Sequence, residues 1–167
     1  MRRLIFLFAL FLSISSVAWA IDTAQEAYDR RDYAAAFALW QPRAAAGDPQ
    51  AQTALGSLFA YGRGVAKDDD QAVLWFRKAA EQDFAAGQFA LGAMYLQGRG
   101  VPADAGQAAL WIQKAAEQDL TVAQFYLGGM YGAGTGVPED AEKAKYWKDK
   151  ADGGFKNLLP ATVLKQL

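Results

Sequence analysis

The sequence has no cysteine and no histidine among its 167 residues, and after the first twenty positions its only serine is Ser57. These gaps remove whole classes of chemistry. Disulfides cannot form, so stability must come from packing, and lipid attachment through an N-terminal cysteine is excluded. Zinc sites built from Cys and His are out of reach, as are Ser-His and Cys-His nucleophiles. Basic runs are scarce too. The 17 Lys and Arg stand against 18 Asp and Glu, and no positive stripe could neutralise a phosphate backbone, which argues against nucleic acid as a partner. Beyond the N-terminus, no stretch stays apolar for the about 20 residues that a membrane-spanning helix needs.

What is present begins with a leader-like segment. Arg2 and Arg3 precede an apolar run from Leu4 to Leu12, closed by Ser13, Ser15 and Ser16. Ala18-Trp19-Ala20 then sets small residues at the first and third positions before Ile21, the pattern a signal peptidase accepts. Residues 1–20 therefore read as a secretory signal peptide cleaved after Ala20, and the mature chain as periplasmic or secreted. Removing 20 of the 167 residues leaves 147, with 15 basic against 18 acidic side chains and a formal charge of −3. That length suits one domain with its own core.

The body of the chain repeats with a period of 36 residues. Leu55-Gly56 returns as Leu91-Gly92 and Leu127-Gly128. The same step links Phe59, Tyr95 and Tyr131; Gly62, Gly98 and Gly134; Gly64, Gly100 and Gly136; Trp75, Trp111 and Trp147; and Gln52, Gln88 and Gln124. A fixed period of this length is the mark of a stacked repeat architecture. Within a copy, Ala51, Leu55, Leu58 and Phe59 recur at helical spacing, as do Ala72, Trp75, Phe76, Ala79 and Ala80, so each copy predicts an A helix followed by a B helix. The glycines at 62 and 64 stop helix A. Helix B opens at Asp68, Asp104 or Asp140, with Gln71 and Gln107 completing a capping-box pattern in the first two copies. The tryptophans fall on the apolar face of helix B and are expected in the core, where Trp111→Ala would cost about 3–5 kcal/mol.

The series Leu-Gly-x-x-Tyr-x-x-Gly-x-Gly-Val-Pro-x-Asp, then Ala-x-x-Trp and Ala-Ala, resembles the Sel-1-like repeat, a relative of the tetratricopeptide repeat, across residues 51–155. Two positions depart from the family pattern: Ala66 replaces its proline, and Asp83 stands where it has the glycine that ends helix B. The resemblance implies an all-α fold, a right-handed α-solenoid of stacked antiparallel helix pairs. The expected division is an N-terminal degenerate hairpin over 21–50, repeats over 51–86, 87–122 and 123–155, and a capping helix within 156–167 that begins near Pro160. Lys148 and Asp152, where earlier copies carry Phe76, Ile112, Ala80 and Ala116, fit an outermost repeat facing water.

No catalytic, cofactor or metal site is expected. Asp68, Asp69 and Asp70 lack the spaced oxygens of a calcium loop and suit the positive end of a helix dipole. The Gly-x-Gly loops follow helices, whereas the dinucleotide fingerprint follows a strand. The informative positions are those that vary on helix A, because A helices line the concave face that solenoids use for binding. Tyr61, Phe89, Leu96 and Gln97 are the candidate partner-binding residues. The resemblance to exported Sel-1-like proteins implies a non-enzymatic adaptor or regulator of the bacterial cell envelope that binds another protein. Two alternatives stand beside it. Some members of the family are cysteine-rich β-lactamases, from which this cysteine-free chain departs, and a peptidoglycan- or glycan-binding component would need exposed aromatics.

Overall fold

A computed structural model describes residues 23–158; the expected signal peptide with its cut after Ala20, and the terminal segment from Pro160, lie outside them. The described residues form a simple array, because each amphipathic helix is too narrow to bury its apolar stripe except against a neighbour. Helix α1 covers 23–29. It is followed by α2 (Tyr33–Ala45), α3 (Pro49–Tyr61), α4 (Asp69–Ala80), α5 (Ala85–Gln97), α6 (Ala105–Glu117), α7 (Thr121–Ala133) and α8 (Ala141–Leu158). No strand occurs among the described residues. From α2 on, each helix packs on the next in chain order, and the A helices α3 and α5 also touch each other.

Local chemistry sets the boundaries. Gly62, Gly98 and Gly134 adopt the left-handed conformation with φ of 63°, 63° and 62°, which an L side chain resists. The next N–H then reaches back to the open helix: Arg63 donates to Leu58 at 2.9 Å, Arg99 to Met94 at 3.1 Å and Thr135 to Met130 at 3.0 Å, satisfying carbonyls that the helix end orphans. Asp68, Asp104 and Asp140 each accept the N–H three residues on, at 2.9 Å in every copy. The expected reciprocal half of the capping box is taken by the backbone instead: the N–H of Asp68, Asp104 and Asp140 donates to the carbonyl of Phe59, Tyr95 and Tyr131. This bond ties the end of each A helix to the start of its B helix. Asp83 and Asp119, at φ of 57° and 62°, hold the turn after helix B that glycine would fill.

The core falls into three clusters along the stack, and the partly buried Tyr95 packs against two of them. Leu55, Leu58, Leu91, Ile112 and Leu127 are its largest fully enclosed apolar side chains, and the alanines between them let the helices approach closely. Gly56, Gly92 and Gly128 lie against Phe76, Ile112 and Lys148, so the stem of Lys148 occupies the place that apolar side chains fill in earlier copies.

One feature of the core differs from expectation. Trp75, Trp111 and Trp147 are half-buried, not enclosed. A lysine three residues on, one helical turn away, covers each ring: Lys78, Lys114 and Lys150 lie 4.2, 4.5 and 5.4 Å from the respective ring centroids. The indole packs inward with one side while its other side meets an ammonium, a favourable cation–π arrangement. Trp111→Ala is therefore expected to cost about 2 kcal/mol in a urea melt, below the full-burial range; a loss above about 4 kcal/mol would place the ring in the core after all.

Candidate functional site

The amides of Gln52, Gln88 and Gln124 are buried at the joints between hairpins. Each donates to the last turn of the preceding B helix, at Ala44, Ala80 and Ala116, over 3.1, 3.4 and 3.2 Å. Gln82 and Gln118 in turn donate to the carbonyl oxygens of Gln52 and Gln88 at 2.8 Å. Gly154 stands at the third equivalent position, so this spine of amides stops there. These side chains join repeats and do not offer a binding surface.

Around the A helices the copies diverge. Arg99 donates to the carbonyl of Ala60 at 2.6 Å and from its Nε to Asp69 at 3.2 Å, with a second guanidinium contact to the same carboxylate. The Arg99 guanidinium, above all by hydrogen bonding, holds the Asp69 carboxyl below the usual carboxylate range, and Asp69 raises Arg99 in return. Hydrogen bonding from Lys150, 2.8 Å away, lowers Asp119. The Lys143 backbone N–H at the start of α8 lowers Asp140. For each acid the folded value lies under the unfolded one, so its contribution is complete above the ordinary carboxylate pKa of about 3.9 and is lost as pH falls through the folded value. With no histidine to titrate, the thermal midpoint is expected to be flat from about pH 5 to 8 and to drop below about pH 4. A midpoint that moves by several degrees near pH 6.5 would contradict this.

In the third copy Thr135 takes the place of Arg63 and Arg99, and the surface beside it opens. A groove of about 390 Å³ runs along α7, lined by Leu96, Phe125, Tyr126, Gly129, Met130, Thr135 and Lys148. Its walls are aromatic and only partly covered: Phe125 is 53% and Tyr126 44% exposed. The rings form a chain of edge-to-face contacts, Phe89 to Tyr126 at 5.3 Å, Tyr126 to Phe125 at 6.2 Å and Phe125 to Phe155 at 6.4 Å. These contacts hold the side chains in place, which lowers the entropy lost when something binds. Gly129 forms bare floor, since nothing lies within 4 Å of where its Cβ would be.

The four candidate residues separate into two groups. Phe89 and Leu96, both half-buried, belong to the α7 groove or its wall. Tyr61, 64% exposed, and the exposed Gln97 stand at the helix ends among arginines instead. The Arg63 guanidinium lies 5.2 Å from the Tyr61 ring centroid, and Gln97 accepts from Arg99 at 3.5 Å. Sequence reasoning passed over Tyr126, Phe155 and Lys148 as site residues. Tyr126 had a signal: earlier copies carry Ala54 and Ala90 at its position, so a large ring there breaks the repeat's own rule. Among the described residues no cluster of three or more metal-binding side chains occurs, and no helix is long and apolar enough to cross a membrane.

Stacked helix pairs with a lateral groove, and no strand among the described residues, define an α-helical repeat protein. The Sel1 repeat model matches residues 49–84, 85–120 and 121–151, more than half of the sequence, and the chain belongs to the Sel1 repeat family. Sel1 repeats mediate protein–protein interactions and are generally non-catalytic scaffolds. Among solved structures, the chain is similar to a Sel1 repeat protein from Oxalobacter formigenes, with 34% identity and a TM-score of 0.76 over 81% of this chain and 53% of that one. It is also similar to a protective antigen present in uropathogenic Escherichia coli strains displaying an SLR fold, with 39% identity and a TM-score of 0.70 over 72% of this chain and 26% of that one. The chain thus spans about half the length of the first and about a quarter of the second. No curated protein gives a significant match.

Proposed function

We propose that this protein is a non-enzymatic adaptor or regulator of the bacterial cell envelope that holds a segment of a partner protein on the concave A-helix face. The observation that carries this reading is the open aromatic groove along α7, where rings that could have packed inward line a cleft beside a bare Gly129. Exposed, preorganised apolar surface of this kind marks interaction sites. Export is supported by the run from Arg2 to Ala20, and the mature protein is expected to begin at Ile21 when recovered from the periplasm or medium and sequenced from its N-terminus.

Filling the groove tests the binding reading. Gly129→Leu places a side chain in open space and removes a helix-weakening glycine, so the variant should fold at least as well as the parent. Affinity capture from the native envelope should recover a partner with the parent and lose it with Gly129→Leu; Tyr61→Ala and Gln97→Ala report whether the polar end takes part. Recovery unchanged by Gly129→Leu would retire the groove. A second reading, binding of peptidoglycan, is favoured by the exposure of Tyr61, Phe125 and Tyr126, because sugars stack on open rings. Co-sedimentation with purified peptidoglycan separates the two.

A further inference from the structure

The groove has one charged feature that its apolar walls do not explain. Lys148 takes the position filled by Phe76 and Ile112 in earlier copies. Its stem crosses α7, with Cγ 2.9 Å from the Cβ position of Gly128 and Nζ 3.8 Å from that of Gly132, and the side chain lines the α7 groove. The other lysines of α8 with described surroundings are engaged: Lys143 with Asp140, Lys145 with Asp149 and Lys150 with Asp119. Lys148 forms no ion pair among the described residues, although Glu139, Asp149 and Asp152 line the cleft that it shares with Gly132 on its other side. An unmatched ammonium beside an aromatic cleft complements a ligand that is apolar at one point and anionic at the next.

We infer that the groove accepts a peptide segment of a partner protein that pairs an aromatic or large aliphatic side chain with a carboxylate: the side chain lies over Gly129 between Phe125 and Leu96, and the carboxylate meets Lys148. This inference rests on the proposed protein-binding role and specifies what that role selects. Gly129, with nothing within 4 Å of where its Cβ would be, leaves the α7 backbone bare at the centre of the groove, so the segment can approach closely there. The ion pair would form against apolar walls, where competition from water is reduced.

The test uses the purified protein and a library of random heptapeptides, acetylated and amidated so that every carboxylate is a side chain. Peptides selected on the parent should be enriched in an aromatic, Leu, Ile or Met within two residues of Asp or Glu. Their affinity should fall about 10-fold or more in Lys148→Gln and in Lys148→Met, which keep the stem against Gly128, and should be abolished by Gly129→Leu. Circular dichroism confirms that each variant is folded. Peptides lost with Gly129→Leu but indifferent to both Lys148 variants would overturn the carboxylate rule while leaving the groove as a protein-binding site. Selected peptides indifferent to Gly129→Leu would remove the groove reading itself. If peptides bind only after residues 159–167 are deleted, the occupant is this chain's own terminal segment and the commitment to a partner fails.

Discussion

Gly136→Ala is expected to destabilise the protein by about 2–5 kcal/mol. The glycine sits at φ of 70°, and a Cβ there would fall 1.9 Å from the carbonyl oxygen of Ala105, in the first turn of α6. Two independent costs add. Left-handed backbone penalises an L side chain by about 1–2 kcal/mol, and forcing an atom into a packed contact costs about 1–3 kcal/mol. The neighbour is helix backbone, which cannot rotate away as a side chain could. Against a typical domain stability of about 5–15 kcal/mol, this is a severe lesion from one methyl group. Gly129→Ala is the matched control on the same helix pair: with nothing within 4 Å, it should stabilise by about 0.5–1 kcal/mol. A urea melt in which Gly136→Ala loses under 1 kcal/mol would mean that the third loop does not stack on α6. Gly64 and Gly100 press on Tyr33 and Asp69 in the same way, so the effect belongs to the stacking of one hairpin on the next.

Gln88→Leu is expected to cost about 2–4 kcal/mol. Leucine fits the volume of the buried amide but not its bonds. The carbonyl of Ala80 and the carboxylate of Asp83 lose a donor, and Gln118 loses its acceptor; each buried group left unpaired costs about 1–3 kcal/mol, tempered here because Asp83 and Gln118 reach solvent. Gln124→Leu should cost less, about 1–2 kcal/mol, because Gly154 offers no third amide to strand;. The difference between the two variants, read by the same melt, isolates what the amide spine contributes. Equal losses would show that the link to Gln118 carries nothing.

The period of 36 residues made most of the architecture legible, since glycine after helix A and aspartate before helix B are local signals whose physics does not depend on the rest of the chain. The tryptophans were harder to read. Periodicity places Trp111 on the apolar stripe of α6, but periodicity does not report that Lys114 folds back over its ring. Gln52, Gln88 and Gln124 stood out as a series, yet their role became visible only when the preceding B helix ended beside them. The groove was the least legible feature. Leu96 comes from α5, Phe125 and Gly129 from α7 and Lys148 from α8, and no spacing within one helix announces that they converge. What the sequence did display was each exception to its own repeat: Tyr126 in place of alanine, Thr135 in place of arginine, Lys148 in place of an apolar residue. In an array whose shared positions build the stack, departures confined to one copy are where a binding surface can differ from its scaffold.

The central claim is that a partner is held on the A-helix side, along α7. It is tested most directly by photo-crosslinking in living cells, with benzoylphenylalanine introduced at Phe125 in one strain and at the exposed Glu117 of α6 in another. The account predicts a discrete adduct of higher mass from position 125 and none from position 117. Adducts from position 117 alone would contradict it and move the binding surface to the B helices.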